Sequence, residues 1–235
     1  MNEKTRQRLI GMLLFPRMTQ LDLTGPYEVF ARLPNTQVHL VASNLDPVRT
    51  DRGLMILPTI SLADCPHVDV LMVPGGAGQQ DLMEDDAVLD FLRRQASRAQ
   101  YVTSVCTGSL VLGAAGLLNG KRATSHWTVV DCLADLGAIP VAERVVVDGN
   151  VVTGAGVAAG IDFALRLAAI LEGETVAREI QLQIEYDPEP PFRGSPATAS
   201  ADTVATLRSR AARLSSERAQ LARRVGRRLG LSVGT

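Results

Sequence analysis

Of 235 residues, only three are cysteine, three histidine, three tyrosine and one tryptophan. Each scarcity closes off a class of function. Cys65, Cys106 and Cys132 are odd in number, widely spaced and without a CxxC pair. That pattern disfavours a disulfide framework and a structural zinc site, and it fits a reducing cytoplasm. His39, His67 and His126 offer few ligands for a transition metal, and none is expected. An aromatic content of 4% leaves few platforms for stacking nucleic-acid bases. Neither sign of charge is in surplus: 24 Lys and Arg face 25 Asp and Glu, for a net charge of -1. Bulk electrostatics therefore gives no reason to expect a nucleic acid or a membrane as partner. No apolar run approaches the roughly 20 residues of a membrane span. Leu9 to Phe15, behind the charged start MNEKTRQR, is short for a signal peptide, and no small-residue cleavage site follows it.

What the chain does have is 46% hydrophobic and 21% charged residues, the balance of a globular domain. Short apolar runs rich in β-branched residues alternate with amphipathic stretches, which predicts an α/β fold with a parallel sheet covered on both faces. Leu9 to Phe15, Val38 to Ala42, Val68 to Val73 and Tyr101 to Val105 read as buried strands. Helical periodicity fits Thr24 to Leu33, Ala87 to Ala99, Thr107 to Leu118 and Thr128 to Leu136. Residues 45 to 60 suggest an inserted hairpin, and Glu143 to Val152 a second one, turning at Asp148-Gly149. Val157 to Leu171 reads as a central, almost wholly apolar helix, followed by another from Glu174 to about Tyr186.

Pro188, Pro190, Pro191 and Pro196 then interrupt regular structure. The expected organisation is an α/β domain over 8–187, a proline-rich connector over 188–199 and an arginine-rich helical tail over 200–235. Between Ala201 and Arg228 eight arginines face only Asp202 and Glu217. The reading is a solvated helix packed on the domain or on a second subunit, with a nucleic-acid contact as the alternative. It lacks the apolar pattern of a helix-turn-helix domain and is too short for two in tandem.

The most informative segment is YVTSVCTGSLVLG, residues 101–113. A buried strand ends at Val105, a helix follows at once, and the small residues Ser104, Gly108 and Ser109 surround Cys106. This is the layout of a nucleophile elbow, in which a sharp turn lifts the side chain above the sheet. A thiol beside a helix N-terminus is expected to favour its thiolate. The alternative for Cys106, a small buried hydrophobe, describes most free cysteines. It remains the reading for Cys65 and Cys132.

Val73-Pro74-Gly75-Gly76-Ala77-Gly78 follows another buried strand. Its glycines let backbone N–H groups converge on an anion or oxyanion at the carboxyl edge of the sheet, where open α/β sheets bind ligands. A plain turn explains them equally well. Neither GxxxxGK[ST] nor GxGxxG spacing is present, which argues against nucleotide binding. Asp22 falls in the loop before the first predicted helix; it reads either as a helix cap or as a proton donor or acceptor beside Cys106. His126, next to Trp127, is either a base for the cysteine or part of the packing.

Through LDLTGPYEVF, DVLMVPGGAG, YVTSVCTGSLVLGAAGLLNGKRATSHW and VVTGAGVAAGIDFALRL, the sequence resembles the ThiJ/PfpI superfamily, related to class I glutamine amidotransferases, over roughly residues 8 to 187. The resemblance implies a flavodoxin-like three-layer sandwich, with the C-terminal helical segment as an extension, and a homodimer. It also implies a reactive cysteine at Cys106 and an acidic partner at Asp22. It is greatest to the branch that hydrates isonitriles, where the acidic partner is an aspartate and Thr107 follows the cysteine. That branch converts an isonitrile and water into an N-substituted formamide with no cofactor. The implied roles are Cys106 as nucleophile, Asp22 as proton carrier and Thr107 steadying the intermediate. Gly75 and Gly76 would hold developing charge, with His126 and Trp127 near the substrate. A glyoxalase or deglycase, and a ligand sensor without a DNA-binding module, are the competing expectations.

Overall fold

Valine-rich runs bounded by Gly, Pro or Asp become parallel strands here because both of their faces are buried beneath helices. The computed structural model describes residues 6–192 and 194–234; Met1–Thr5, Arg193 and Thr235 lie outside the described residues, and with them most of the charged N-terminal start. β1 (Arg8–Leu13) passes through α1 (Gln20–Phe30) to β2 (Thr36–Ala42). β3 (Val48–Arg49) and β4 (Met55–Ile56) form the inserted hairpin, and β5 (Ile60–Ser61) returns to the main sheet. β6 (Val70–Val73), α2 (Gln79–Leu82), α3 (Asp86–Ala96), β7 (Tyr101–Val105) and α4 (Gly108–Ala114) follow. β8 (Arg122–Ala123) pairs with β9 (Ile139–Pro140) around a 3-10 helix, Val130–Leu136. β10 (Val145–Asp148) and β11 (Val151–Gly154) make the second hairpin, turning at Gly149 with φ 62°. Three helices close the chain: α5 (Ala159–Glu172), α6 (Glu174–Gln183) and α7 (Ala201–Arg228).

The main sheet runs β10-β11-β7-β6-β1-β2-β5, parallel throughout except for β10 at its edge. From β1 the chain moves outward to β2 and β5, then returns to lay β6 on the other side of β1. The order reverses there, and the loops after β1 and β6 run against each other, with the Thr19 N–H donating to the Gly75 carbonyl at 3.0 Å and Met18 bridged to Gly76, at the switch point on the carboxyl edge of the sheet, where open α/β sheets bind ligands. The cysteine turn after β7 opens beside it.

Packing explains where the elements depart from sequence expectation. Pro26 suggested a helix starting near Thr24, but α1 starts at Gln20 and carries Pro26 inside it, so Asp22 lies in its first turn rather than in a preceding loop. The helix is held by close contact with α5: an added Cβ on Gly160 would lie 3.2 Å from the Pro26 ring, and one on Gly25 equally close to Ile161. Phe30 and Phe163 meet edge to face between these helices, at 6.1 Å and 77°. Such a pair contributes about 1 kcal/mol beyond its burial. The helix expected over Thr128 to Leu136 is a tighter 3-10 helix from Val130, pressed against Gly113 of α4 through Leu136 and ended by Gly137 at φ 82°.

α7 starts at a serine cap, Ser200, whose hydroxyl accepts the Thr203 N–H. Its first turns are largely exposed. Its second half buries Leu221, Ala222 and Val225 against the 3-10 helix and α4, and Gly226 sits so close to Asp135 that a Cβ would lie 2.0 Å from the carbonyl oxygen. No described helix is long and apolar enough to cross a membrane.

Candidate active site

Cys106 and Thr107 alone separate β7 from α4, and Cys106 starts that turn at φ 56°. A side chain in this left-handed region costs on the order of 1–3 kcal/mol. Four hydrogen bonds hold it there. The Cys106 N–H is shared between the carbonyls of Gly154 (3.0 Å) and Ala155 (2.9 Å), while its own carbonyl accepts from Ser125 Oγ (3.0 Å) and Ser109 Oγ (3.2 Å). Gly108 permits the turn because a Cβ there would lie 2.1 Å from the Val73 carbonyl oxygen.

Asp22 comes up beneath the cysteine from the first turn of α1 and is fully buried. Its Oδ2 accepts the Gly75 N–H at 3.0 Å, and its Oδ1 has no hydrogen-bond partner. Burial pushes the Asp22 carboxyl up to about 7, against the pull of the adjacent Cys106 thiol and the Gly75 amide, with Asp51 adding to the rise. The Cys106 thiol is also pushed up, first by burial and then by the Asp22 charge; the Thr107 N–H and Arg218 oppose this. These influences weigh against the thiolate that the helix N-terminus alone would favour. Sulfur and carboxyl both lose most of their hydration in this one site, and burial favours the neutral form of each.

The amides of the two glycines, expected to be open to an oxyanion, already have partners within the chain. Gly75 gives its N–H to Asp22, and Gly76 gives its N–H to Thr107 Oγ1 at 3.0 Å. Gly75 has to be glycine: a Cβ would stand 2.5 Å from Thr107 N and 2.8 Å from Asp22 Oδ2. Both amides thus position side chains around the sulfur. The Thr107 hydroxyl also donates to the Gly76 carbonyl at 3.3 Å, so this one oxygen is fastened to both the N–H and the C=O of Gly76.

A cleft of about 480 Å³ opens above the sulfur. It brings together Cys106, Thr107, Gly76 and His126 from the expected set, with Asp22 and Gly75 lying under its floor. His126 Nδ1 pairs with Thr128 Oγ1 at 2.8 Å and makes no hydrogen bond to Cys106. Burial and then Arg218 depress the imidazole, which keeps it neutral. Trp127 does not line the cleft; its ring lies 5.9 Å from that of His126 and 5.7 Å from the Arg208 guanidinium of α7. Cys65 is half-buried in a loop and Cys132 is buried in the 3-10 helix, both outside the cleft. A smaller cavity, of about 160 Å³, is lined by Phe15 and Leu82 with Ser43, Asp81 and Asp85, and has neither cysteine nor histidine in its lining.

Sequence reasoning missed the cover. Ala211, Leu214 and Arg218 of α7 form one wall of the cleft, and Asp51 and Arg52 of the β3–β4 turn stand at its mouth. A signal was available. Leu214, Arg218, Leu221, Ala222 and Val225 recur at helical spacing on one stripe, so Arg218 is the arginine that breaks an apolar face. Among the described residues no cluster of His, Cys, Asp or Glu could hold a metal ion.

The DJ-1/PfpI family model matches residues 8–170. The chain is 58% identical to an isonitrile hydratase from Pseudomonas putida, over 94% of this chain and 98% of that one. It is 31% identical to the glutathione-independent glyoxalase DJR-1.2 of Caenorhabditis elegans, over 58% of this chain and 74% of that one. Among solved structures, a ThiJ/PfpI family protein from Pseudomonas syringae superposes with a TM-score of 0.90 at 46% identity, covering 92% of this chain and 90% of that one.

Proposed function

The chain belongs to the DJ-1/PfpI family, and from that premise we propose that it is an isonitrile hydratase, adding water to R–N≡C to give an N-substituted formamide. The observation that carries this reading is 58% identity to an isonitrile hydratase over nearly the whole of both chains. The cysteine–aspartate pair under the cleft supplies chemistry that suits it.

The terminal carbon of an isonitrile accepts a nucleophile and a proton at the same atom. Cys106 Sγ bonds to that carbon while the thiol proton passes through Asp22 to the carbon, leaving a thioimidate, R–N=CH–S–Cys106. A carboxyl near pH 7 suits this transfer, since it gives up and regains a proton with little bias. Water then adds across the C=N bond, oxygen to carbon and hydrogen to nitrogen. The C–S bond breaks as the carbonyl forms, and the hydroxyl proton returns through Asp22 to the departing sulfur. Formamide leaves and the thiol is restored.

The fastened Thr107 presents its N–H toward the sulfur and steadies the charge that develops there. Gly75 and Gly76 are positioning residues in this scheme, because their amides hold Asp22 and Thr107. His126, neutral and tied to Thr128, shapes the substrate wall rather than acting as base. We further infer a homodimer, supported by the family resemblance and by exposed Leu54, Met55 and Leu57 on the inserted hairpin. A cytoplasmic setting is supported by three free cysteines.

The test is formamide production from an alkyl or aryl isonitrile by the purified chain and by Cys106→Ala, with methylglyoxal as a second substrate. Formamide that depends on Cys106 is expected. Lactate from methylglyoxal without any formamide would move the assignment to a glyoxalase.

A further inference from the structure

Arg218 is 7% exposed, yet among the described residues no carboxylate is paired with it. Its one hydrogen bond runs from Nη2 to the Gly76 carbonyl at 3.2 Å, and its Nε is buried without any partner. A guanidinium stays protonated even when buried, so the cost of desolvation cannot be relieved by losing the proton. Buried charges are ordinarily paired, and an unpaired one is among the costliest features a fold can carry. This one lines the same cleft as the cysteine.

The surroundings show which charge is missing. Asp51 and Arg52, at the mouth, are both exposed and of opposite sign, and the Asp51 carboxylate already accepts from Thr19 Oγ1 at 3.1 Å. His126 is neutral, and Asp22 lies under the floor, bonded to Gly75. The groups whose charge would favour this guanidinium are the Cys106 and Cys132 thiols, and burial pushes both toward the protonated form, so the inner cleft contains one positive charge without a carboxylate partner among the described residues, on a guanidinium with N–H groups to spare. A single cation suits a monoanion, and a planar fork matches a carboxylate.

We propose that Arg218 is a specificity-determining residue and that the substrates of this site are isonitriles bearing a carboxylate, which pairs with Arg218 while the isonitrile carbon reaches Cys106. The proposal rests on the hydratase reading for its reaction but not for its anion. α7 in this view is part of the substrate pocket, and the arginine on its apolar stripe is its recognition element.

The experiment compares 3- and 4-isocyanobenzoate with phenyl isonitrile in the wild-type chain, Arg218→Met and Arg218→Lys, following formamide release and recording a melting curve for each protein. The wild type is expected to prefer a carboxylated substrate. In Arg218→Met the ratio of kcat/KM, carboxylated over neutral, is expected to fall roughly 10- to 100-fold, the range of one charged hydrogen-bonded contact. The loss should appear chiefly in KM, with Arg218→Lys retaining part of the preference. A misfolded fraction lowers both substrates alike and leaves the ratio intact, so the ratio reports recognition. A wild type indifferent to the carboxylate, or a ratio unchanged in Arg218→Met, would overturn the proposal. If the wild type releases no formamide from any of these compounds, the hydratase reading fails on its own. Calorimetric titration with 4-formamidobenzoate and with formanilide then decides the anion preference: tighter binding of the benzoate, lost in Arg218→Met, supports it, and equal binding overturns it.

Discussion

Asp22 Oδ2 accepts the Gly75 N–H at 3.0 Å, and this bond fixes the carboxyl under Cys106 while leaving Oδ1 without a partner. Asp22→Asn preserves the shape and the bond from Gly75 but cannot relay a proton. Turnover is expected to fall at least 100-fold, in the range of general acid–base catalysis, as measured by formamide release.

The same carboxyl makes stability depend on pH. Its folded value, about 7, lies above the ordinary 3.8, so the folded chain holds a proton that the unfolded chain releases between these values. Stability contributed by this group is therefore full below about pH 4 and is lost as pH rises toward 7. The penalty above pH 7 is on the order of a few kcal/mol. Asp22→Asn is expected to melt higher than the wild type at pH 8, with the gap narrowing toward pH 5; thermal melts across that range check it.

Cys106→Gly separates strain from chemistry. Glycine adopts φ 56° freely, so relief of about 1 kcal/mol is expected, equivalent to a rise of roughly 2–4 °C in Tm for a chain of this size. Activity should vanish. A fall in Tm would show that the thiol's packing outweighs the backbone strain.

Gly226→Ala tests the cover. Its Cβ would meet the Asp135 carbonyl at 2.0 Å, so α7 must lift from the 3-10 helix or the helix must shift. A loss of about 2–4 kcal/mol is expected, with faster proteolytic cleavage in the connector and weaker turnover through a higher KM. Glu84→Gln, which removes an exposed partner of Arg224, should cost only about 0–1 kcal/mol.

His126→Gln distinguishes wall from base. The imidazole is neutral and bonded to Thr128, so the variant is expected to change substrate preference and to leave the pH profile of kcat in place. A profile that lost a limb would make His126 the proton carrier instead of Asp22.

Features set by local chemistry were legible in the sequence. The strand Tyr101–Val105, the hairpin turning at Gly149 and the helix Ala201–Arg228 lie where periodicity and punctuation place them. The cysteine turn was legible because strand, small residues and helix are adjacent in the chain. The sequence points to Asp22 but places it in a loop, since Pro26 looks like a helix start and only the close fit to Gly160 shows how the helix accommodates it. From sequence the two glycine amides look open to a ligand, because no local pattern shows that Asp22, 53 positions away, and Thr107, 31 away, occupy them. Arg218 was hidden furthest, 142 positions from the carbonyl it touches. Seven other arginines share its helix, and only the stripe on which it falls distinguishes it.

The wall formed by α7 also sets an order of events during synthesis. Chains leave the ribosome N-terminus first, and their folding follows that order. β1, β6, β7 and the cysteine turn can all assemble before Ala211, Leu214 and Arg218 have been made. The nascent enzyme therefore passes through a stage in which its thiol is in place without its wall, and its proposed selectivity for an anionic substrate arrives with a helix translated after the whole sheet.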